Sequence, residues 1–374
     1  MIKVGRGQGA TLEESLEQAV AEFRSPQFVL YFSRPGMLDR VSAFFARRYE
    51  GIPTMGLCSV CVLHGGAVDE PDVLAIAFEE GFQISCGIIH DLDECPVQHV
   101  YRFEQDVKSI GKGNEDAVCL EYCTGNEEML VTTLNAVLDR FAIPLMGSTA
   151  FESVDHMGRA QVAYNGGVYG NACIYAIIRS LHGKIRTYYE NIYERTDLRL
   201  HQVTKVDTAH RRLIELDGRP AADVYCDTVQ VSRDEIVKTN SRYPFGRLLG
   251  KKIYVSDVAE VLPDGSLCCN KRLNPNDALC FLDYGRYRAI AQETVERLQQ
   301  ENPNRYFMLT GDCIHRYWLY EDEHFTAEHA KNLLKISPYA GSVCGGEQYH
   351  HQHINQSLVL IVFSHDSKEG EGAE

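Results

Sequence analysis

The densest group of side chains that could bind a ligand lies near the C-terminus, between residues 347 and 357. It contains Glu347, the histidines His350, His351 and His353, and the run Asn355-Gln356-Ser357. Imidazole nitrogens bind zinc, iron and copper, so the segment could hold a metal or a haem. In an extended chain His350 and His351 point to opposite sides, so at most two of the histidines converge easily. An exposed polar loop is the alternative interpretation, because loops are commonly polar.

A second group, Asp312-Cys313-Ile314-His315-Arg316, follows a predicted strand over 305–310. Ligands of α/β folds bind at such strand–loop junctions, at the carboxyl edge of the sheet. Arg316 could hold a carboxylate through two parallel hydrogen bonds. Cys313 beside His315 could be a nucleophile, but the spacing supplies no third group to orient the histidine. The group therefore favours ligand binding over cysteine catalysis.

Several function classes are disfavoured by the sequence. The nucleotide-binding glycine loops and the hydrolase and metalloprotease signatures do not occur in it. The net charge of -15 disfavours a nucleic-acid partner, since that contact needs clustered lysine and arginine. No stretch approaches the roughly 20 apolar residues that span a bilayer, and the first residues do not resemble a signal peptide. We therefore expect a cytoplasmic protein without a membrane partner.

Hydrophobic periodicity predicts a mixed α/β fold built on repeated strand–helix–strand units. Gly51-Ile-Pro-Thr-Met-Gly56 is echoed by Ala142-Ile-Pro-Leu-Met-Gly147. The first follows a strand over 28–32 and a helix over 38–48; the second follows a strand over 117–122 and a helix over 127–141. A weaker third copy has a strand over 305–310, a helix over 326–336 and Pro338-Tyr-Ala-Gly341. The common Pro-x-x-Gly spacing indicates that one unit occurs three times.

A β-rich insert separates the second and third copies. The turn residues Asp217-Gly218 and Pro263-Asp-Gly265 indicate hairpins within it, because Asp and Gly tolerate positive φ. A division near residue 218 then gives two domains, 1–218 and 219–366. The polar segment 367–374 is predicted to be a disordered tail.

The order of several short motifs resembles that of the FIST family, in which a FIST N-terminal domain precedes a FIST C-terminal domain. The most specific motifs are Asp217-Gly-Arg-Pro-Ala221, Cys313-Ile-His-Arg316, and Gly346-Glu347 leading to Asn355-Gln356-Ser357. The likeness covers roughly residues 26 to 364 and assigns the two predicted domains to the two FIST domains. One departure is Ile354, which stands where the family often has a histidine before the Asn-Gln pair.

The resemblance implies an intracellular sensory module for a small ligand such as an amino acid, and not an enzyme. It also implies signalling through a partner such as a histidine kinase or a diguanylate cyclase. We expect Cys313, Arg316, Glu347, Asn355 and Gln356 to line the ligand site. Two alternatives remain open: a haem-binding nitric-oxide sensor with His353 as axial ligand, and an enzyme that uses Cys313.

Overall fold

The computed structural model describes residues 1–94, 96–152, 160–250 and 252–366. The predicted tail, residues 367–374, lies outside the described residues. In these described ranges the chain forms four β-sheets, and helices pack against each of them. These mixed sheets with packed helices confirm the predicted α/β class.

Three units repeat one order of elements: strand, helix, strand, helical connection, strand, hairpin, strand. The first unit contains β1 (Ile2–Gly7), α1 (Leu12–Val20), β2 (Phe28–Ser33), α2 (Leu38–Arg48), β3 (Thr54–Cys58), β4 (Val62–His64), β5 (Ala67–Asp69) and β6 (Val73–Phe78). The second contains β7 (Phe82–His90), α3 (Val100–Ile110), β8 (Ala117–Cys123), α4 (Glu127–Phe141), β9 (Leu145–Thr149), β10 (Val162–Tyr164), β11 (Gly167–Tyr169) and β12 (Ala172–Ser180). The repeat predicted from the sequence is therefore present in the fold.

The third unit is interrupted by the predicted insert. It opens with β13 (Gly183–Asn191), and the insert then supplies β14 (Glu194–Arg195), β15 (His201–Asp207), β16 (Arg212–Leu216), β17 (Arg219–Pro220), α5 (Ala221–Val229), α6 (Ile236–Thr239), β18 (Phe245–Leu249), β19 (Lys252–Ser256), β20 (Val258–Val261), β21 (Leu267–Cys269) and β22 (Ala278–Asp283). The unit resumes with α7 (Tyr287–Glu301), β23 (Arg305–Cys313), α8 (Ile314–Asp322), α9 (Thr326–Ile336), β24 (Tyr339–Cys344), β25 (Glu347–Tyr349), β26 (Gln352–Ile354) and β27 (Ser357–His365). The division at residue 218 stays a prediction, and it falls inside this insert.

Each unit forms a sheet with the same strand order, and its hairpin pairs with the sheet of another unit. The central strands pair in parallel (β2 with β3, β8 with β9, β23 with β24), and the last strand of each unit pairs antiparallel with the first of them. The β4–β5 hairpin of the first unit extends β24 of the third. The β10–β11 hairpin of the second unit extends β3 of the first, and β25–β26 of the third extends β9 of the second. The three units are thus joined in a closed cycle.

The Pro-x-x-Gly motifs are explained by the parallel strand pairs. The carbonyl oxygen of the proline accepts a backbone hydrogen bond from the neighbouring strand in every copy, from Val29, Cys119 or Met308, at 2.9 to 3.1 Å. The glycine lies opposite Tyr31, Glu121 or Thr310 in register. A Cβ atom on Gly341 would collide with the backbone and side chain of Thr310. The motif is therefore a packing requirement and carries no ligand chemistry of its own.

The inner faces of the three sheets meet in one apolar core. The first central strand of each unit contributes to this core a leucine that is at most 1% exposed: Leu30, Leu120 and Leu309. The outer faces are covered by α1 and α2, by α3 and α4, and by α7 and α9. The continuous run of buried residues in these strands follows from burial on both faces.

Some element boundaries differ from the sequence expectation. The first helix begins after Thr11, whose side chain accepts from the Glu14 amide, and it ends at Val20. The extended segment 252–261 consists of two strands that are interrupted at Asp257. The segment 347–354, for which an exposed polar loop was one interpretation, is a β-hairpin whose strand ends Glu347 and Ile354 are buried and whose turn at His351 is exposed. Among the helices of the described ranges, none is long and apolar enough to cross a membrane.

We predict that Gly341→Ala destabilises the protein by about 2 kcal/mol, as expected when atoms are forced into a packed site. Gly285→Ala is the matched control, because a Cβ atom there meets no heavy atom within 4 Å. Urea denaturation measures both. An equal effect of the two substitutions would contradict the packing role assigned to the Pro-x-x-Gly motif.

Candidate functional site

Arg316 lies in the interior, within an ion network. Its guanidinium has no solvent exposure, bonds the carboxylate of Glu190 on β13, and lies 3.0 Å from Asp312 Oδ1. Asp312 Oδ2 in turn contacts His329 Nε2 at 2.8 Å, and the ring of Tyr320 lies 5.0 Å from the guanidinium carbon. Two carboxylates thus face this one guanidinium. The arrangement fixes α8 and α9 on the sheet, and it differs from the open carboxylate clamp expected from the sequence.

Cys313 and Glu347 lie close together at the end of β23, and both are fully buried. Burial raises the pKa of the Cys313 thiol well above its usual range, with the neighbouring Glu347 and Asp257 adding to the effect. Burial also raises the pKa of Glu347 to about 8. Its carboxyl accepts from Ser357 Oγ at 2.7 Å and from the Cys344 thiol at 3.4 Å. Glu347 is therefore largely protonated at neutral pH and ties the β25 hairpin to β27.

The two amides after the hairpin have different surroundings. Gln356 adopts a left-handed backbone conformation (φ 53°), and its Nε2 donates to Asp257 Oδ2 at 3.3 Å. Asp257 lies between β19 and β20 of the insert, so this contact joins the insert to the third unit. Asn355 lines a cavity of about 10 Å³ with Tyr189 and Tyr254, and its Oδ1 accepts no hydrogen bond from the residues that the structure describes. The Asn355 cavity has room for about one water molecule.

The three neighbouring histidines contact three different partners. His350 Nε2 lies 2.8 Å from Thr187 Oγ1, and His351 Nε2 lies 2.8 Å from Asp139 Oδ1. His353 is 3% exposed, and its Nδ1 lies 3.3 Å from Gln348 Nε2. The histidines therefore diverge and do not form a shared set of metal ligands.

His353 leads to a cleft of about 420 Å³ between three parts of the chain. The N-terminal half of α4 contributes Glu128, Met129, Thr132 and Thr133. The β25–β26 hairpin contributes His351, Gln352 and His353, and the insert contributes Thr208, Arg247, Lys271, Arg272 and Asn274. We call this site the insert cleft. Its size is within the range of small-molecule sites.

Acidic and basic side chains surround the insert cleft. Arg211 donates to the carboxylates of Glu127 and Glu128 at 2.7 Å each. Burial alone would raise the pKa of Glu127, but the charges of His353 and Arg211 outweigh it and hold that pKa at about 2. Arg247 Nε lies 2.8 Å from Asp277 Oδ2, whereas Arg272 Nε lies 3.9 Å from Glu128 Oε2. Most of these charges are thus compensated, and Arg272 is only loosely held.

Lys271 is the exception among the cations of the insert cleft. It is 1% exposed, and its Nζ has no hydrogen-bond partner in the described part of the chain. The Tyr254 ring centre lies 5.2 Å from Nζ. Burial, and next the charge of Arg247, lowers the pKa of Lys271 to about 7. A buried amine without a partner is costly to keep, and such groups mark functional sites.

The candidate residues of the sequence analysis and the lining of the insert cleft overlap at His351 and His353. Cys313, Glu347 and Gln356 lie together behind the hairpin, Arg316 lies in the ion network, and Asn355 lines its small cavity. Lys271, Arg247 and Glu128 were missed, because they come from distant segments that only the tertiary fold brings together. The adjacent basic pair Lys271-Arg272, set between apolar strands, was the available signal in the sequence.

Two family models match consecutive parts of the chain. The FIST N domain matches residues 27–219, and the FIST C domain matches residues 221–350. Together the matches cover most of the 374 residues, so the chain belongs to the FIST family. FIST domains are sensory domains for small ligands and are associated with signalling.

Comparisons with curated proteins and with solved structures add little to the family assignment. No curated protein matches the chain. Among solved structures, a chorismatase structure at 9% identity aligns over 97% of this chain and 98% of its own, with a TM-score of 0.35. A similarity at that level supports no inference about function.

The pKa of Glu347 leads to a prediction about stability. Because burial raises this pKa from 4.5 to about 8, the folded protein holds a proton that the unfolded chain releases between these values. The free energy of unfolding should therefore fall with rising pH in this window, by at most about 1.4 kcal/mol per unit from this group.

Glu347→Gln does not titrate, so it should make this fall less steep. Urea denaturation at several pH values between 5 and 8 measures the slope, with Glu22→Gln at the surface as the control. Equal slopes for wild type and Glu347→Gln would show that the buried carboxyl is not protonated.

Proposed function

We propose that the protein is a sensory module that binds a small carboxylate-bearing metabolite, such as an amino acid, in the insert cleft. The observation that carries the proposal is Lys271, a buried amine that has no hydrogen-bond partner among the described residues and lies in a cleft of suitable size. A ligand carboxylate would supply the missing partner, and a charge-assisted hydrogen bond in a desolvated site is strong. The sensory character of the family supports the same function.

The other groups of the cleft suit the remainder of an amino acid. Arg272 is loosely held and could share the carboxylate with Lys271, since a guanidinium donates in a planar fork. Glu128 and the hydroxyl of Thr132 offer oxygen acceptors for an ammonium group. Positive and negative groups thus stand in one cleft, as a zwitterionic ligand requires.

The position of the cleft offers a route to signalling. A ligand there would contact α4 of the second unit, the hairpin of the third unit and the insert at once. It would therefore favour whichever arrangement of these parts gives the better contacts, which is how ligands shift conformational equilibria. We propose that a separate protein, such as a histidine kinase or a diguanylate cyclase, recognises the arrangement.

The haem alternative is not supported by the surroundings of His353. A porphyrin needs apolar walls on both faces, whereas the cleft beside His353 is lined by Glu128, Arg247, Lys271 and Arg272. The His353 ring also packs against Gly346, where a Cβ atom would lie 2.8 Å from its Cε1. These residues do not fit the group.

The cysteine-enzyme alternative is also not supported. The reactive form of a cysteine is its thiolate. Burial raises the pKa of the Cys313 thiol well above its usual range, and the neighbouring Glu347 and Asp257 oppose a further negative charge. We therefore propose binding, and not catalysis by Cys313, as the function.

Thermal unfolding in the presence of amino acids and simple carboxylates tests the ligand proposal. A ligand at 100 times its Kd stabilises the folded state by about 2.7 kcal/mol, so at least one compound should raise the Tm by several degrees. Lys271→Met should fold, because a buried cation is replaced by an apolar side chain of similar length, and it should lose the ligand-induced shift.

Arg297→Ala is the matched control, since it removes a cation from a different cleft, between β13 and α7. It should keep the shift. A full shift in Lys271→Met, or no shift with any compound of the panel, would refute the assignment of the insert cleft.

Titration with haem provides a separate check. We expect added haem to give no Soret band that depends on His353, because the charged cleft does not suit the macrocycle. A stoichiometric band that depends on His353 would replace the metabolite proposal with gas sensing.

A further inference from the structure

The surroundings of Lys271 favour a nucleophilic amine as well as the binding of a carboxylate. We propose that Lys271 captures its ligand covalently and reversibly, as an imine with a 2-oxo acid, a ligand in which a carbonyl group stands next to a carboxylate. The inference rests on the proposed function for the location of the site. It adds a ligand class and a bond that simple carboxylate binding does not require.

The first support is the contrast between Lys271 and other lysines. Lys108 and Lys184 are each about half exposed and lie 2.9 and 3.2 Å from a carboxylate oxygen. Lys271 is buried and has neither a hydrogen-bond partner nor a carboxylate within ion-pair distance among the described residues. An amine is nucleophilic only without its proton, and desolvation beside another cation is the environment that removes it. Arg247 is that cation, and it acts on Lys271 from the same cleft.

The second support is the set of groups around the amine. A 2-oxo acid presents its carboxylate one bond away from the carbonyl carbon, so a cation beside Lys271 can hold the carboxylate while the amine meets the carbonyl. Arg272 is adjacent in the chain and lines the same cleft, and its guanidinium Nε lies 3.9 Å from Glu128 Oε2. The Tyr254 ring covers one side of the amine. Together these groups would orient the carbonyl of a bound 2-oxo acid toward Nζ.

The reaction needs no oxidant or other co-reactant. The lone pair of Lys271 Nζ forms a bond to the carbonyl carbon, and the π pair of the C=O bond moves to oxygen, which takes a proton. The nitrogen loses a proton, and the nitrogen lone pair then expels the protonated hydroxyl as water. Water that enters the cleft with the ligand can accept and return the protons. Because water reverses each step, the occupancy follows the ligand concentration, as a sensor requires.

Reductive trapping tests the imine. The full chain is incubated with pyruvate or 2-oxoglutarate and sodium cyanoborohydride, and the products are analysed by intact mass and peptide mapping. We expect one saturable adduct per chain, located at Lys271, whose yield rises from pH 6 to pH 8 as the amine loses its proton. Lys271→Arg keeps the charge and should lose the adduct, whereas the surface variant Lys335→Arg should keep it.

A second measurement guards against misfolding of the Lys271 variant. Lactate has the carboxylate but no carbonyl, so in the wild type it should protect Lys271 from trapping without forming an adduct. Adducts spread over many lysines, or an adduct that lactate does not reduce, would overturn the inference. A thermal shift with 2-oxo acids and no adduct at Lys271 would overturn the imine alone. The absence of both shift and adduct with every compound would overturn the cleft as well.

Discussion

The exchange of hairpins between units is the constraint on which the rest of the structure depends. A central strand such as β9 would end its sheet with unpaired backbone groups, and an open edge of this kind invites pairing with other chains. The hairpin of another unit fills that edge in all three sheets. Because each unit both gives and receives a hairpin, the three inner faces are held around one core.

The same exchange creates the insert cleft. Pairing of β25 with β9 carries the histidine-rich hairpin of the third unit to α4 of the second. The insert, which occurs in the third unit between β13 and α7, then covers that junction with Lys271 and Arg247. The hairpin exchange, which all three units share, thus forms the junction. The insert, which only the third unit contains, adds the basic side chains to it.

Much of the fold could be predicted from the sequence, because its signals are local. The helix Glu127–Phe141 and the strand Val73–Phe78 agree with the pattern of apolar residues to the residue. The hairpin at 347–354 escaped prediction because its turn is formed by His350 and His351, with His350 at a φ of 52°. The equivalent turns carry Gly65-Gly66 and Asn165-Gly166, which are ordinary turn residues. The candidate site was harder to predict from the sequence, since the environment of Lys271 is formed by residues that lie far apart in the chain.

The cyclic pairing also has a consequence for the order in which the protein can be made. The β4–β5 hairpin pairs with β24, which leaves the ribosome only after the second unit and the insert have been synthesised. The hairpin of the first unit must therefore wait, with an unpaired strand edge, for a segment of the third unit. Contacts of such long separation slow folding and leave nascent chains exposed to aggregation. The short length of this hairpin limits that risk while the chain is incomplete.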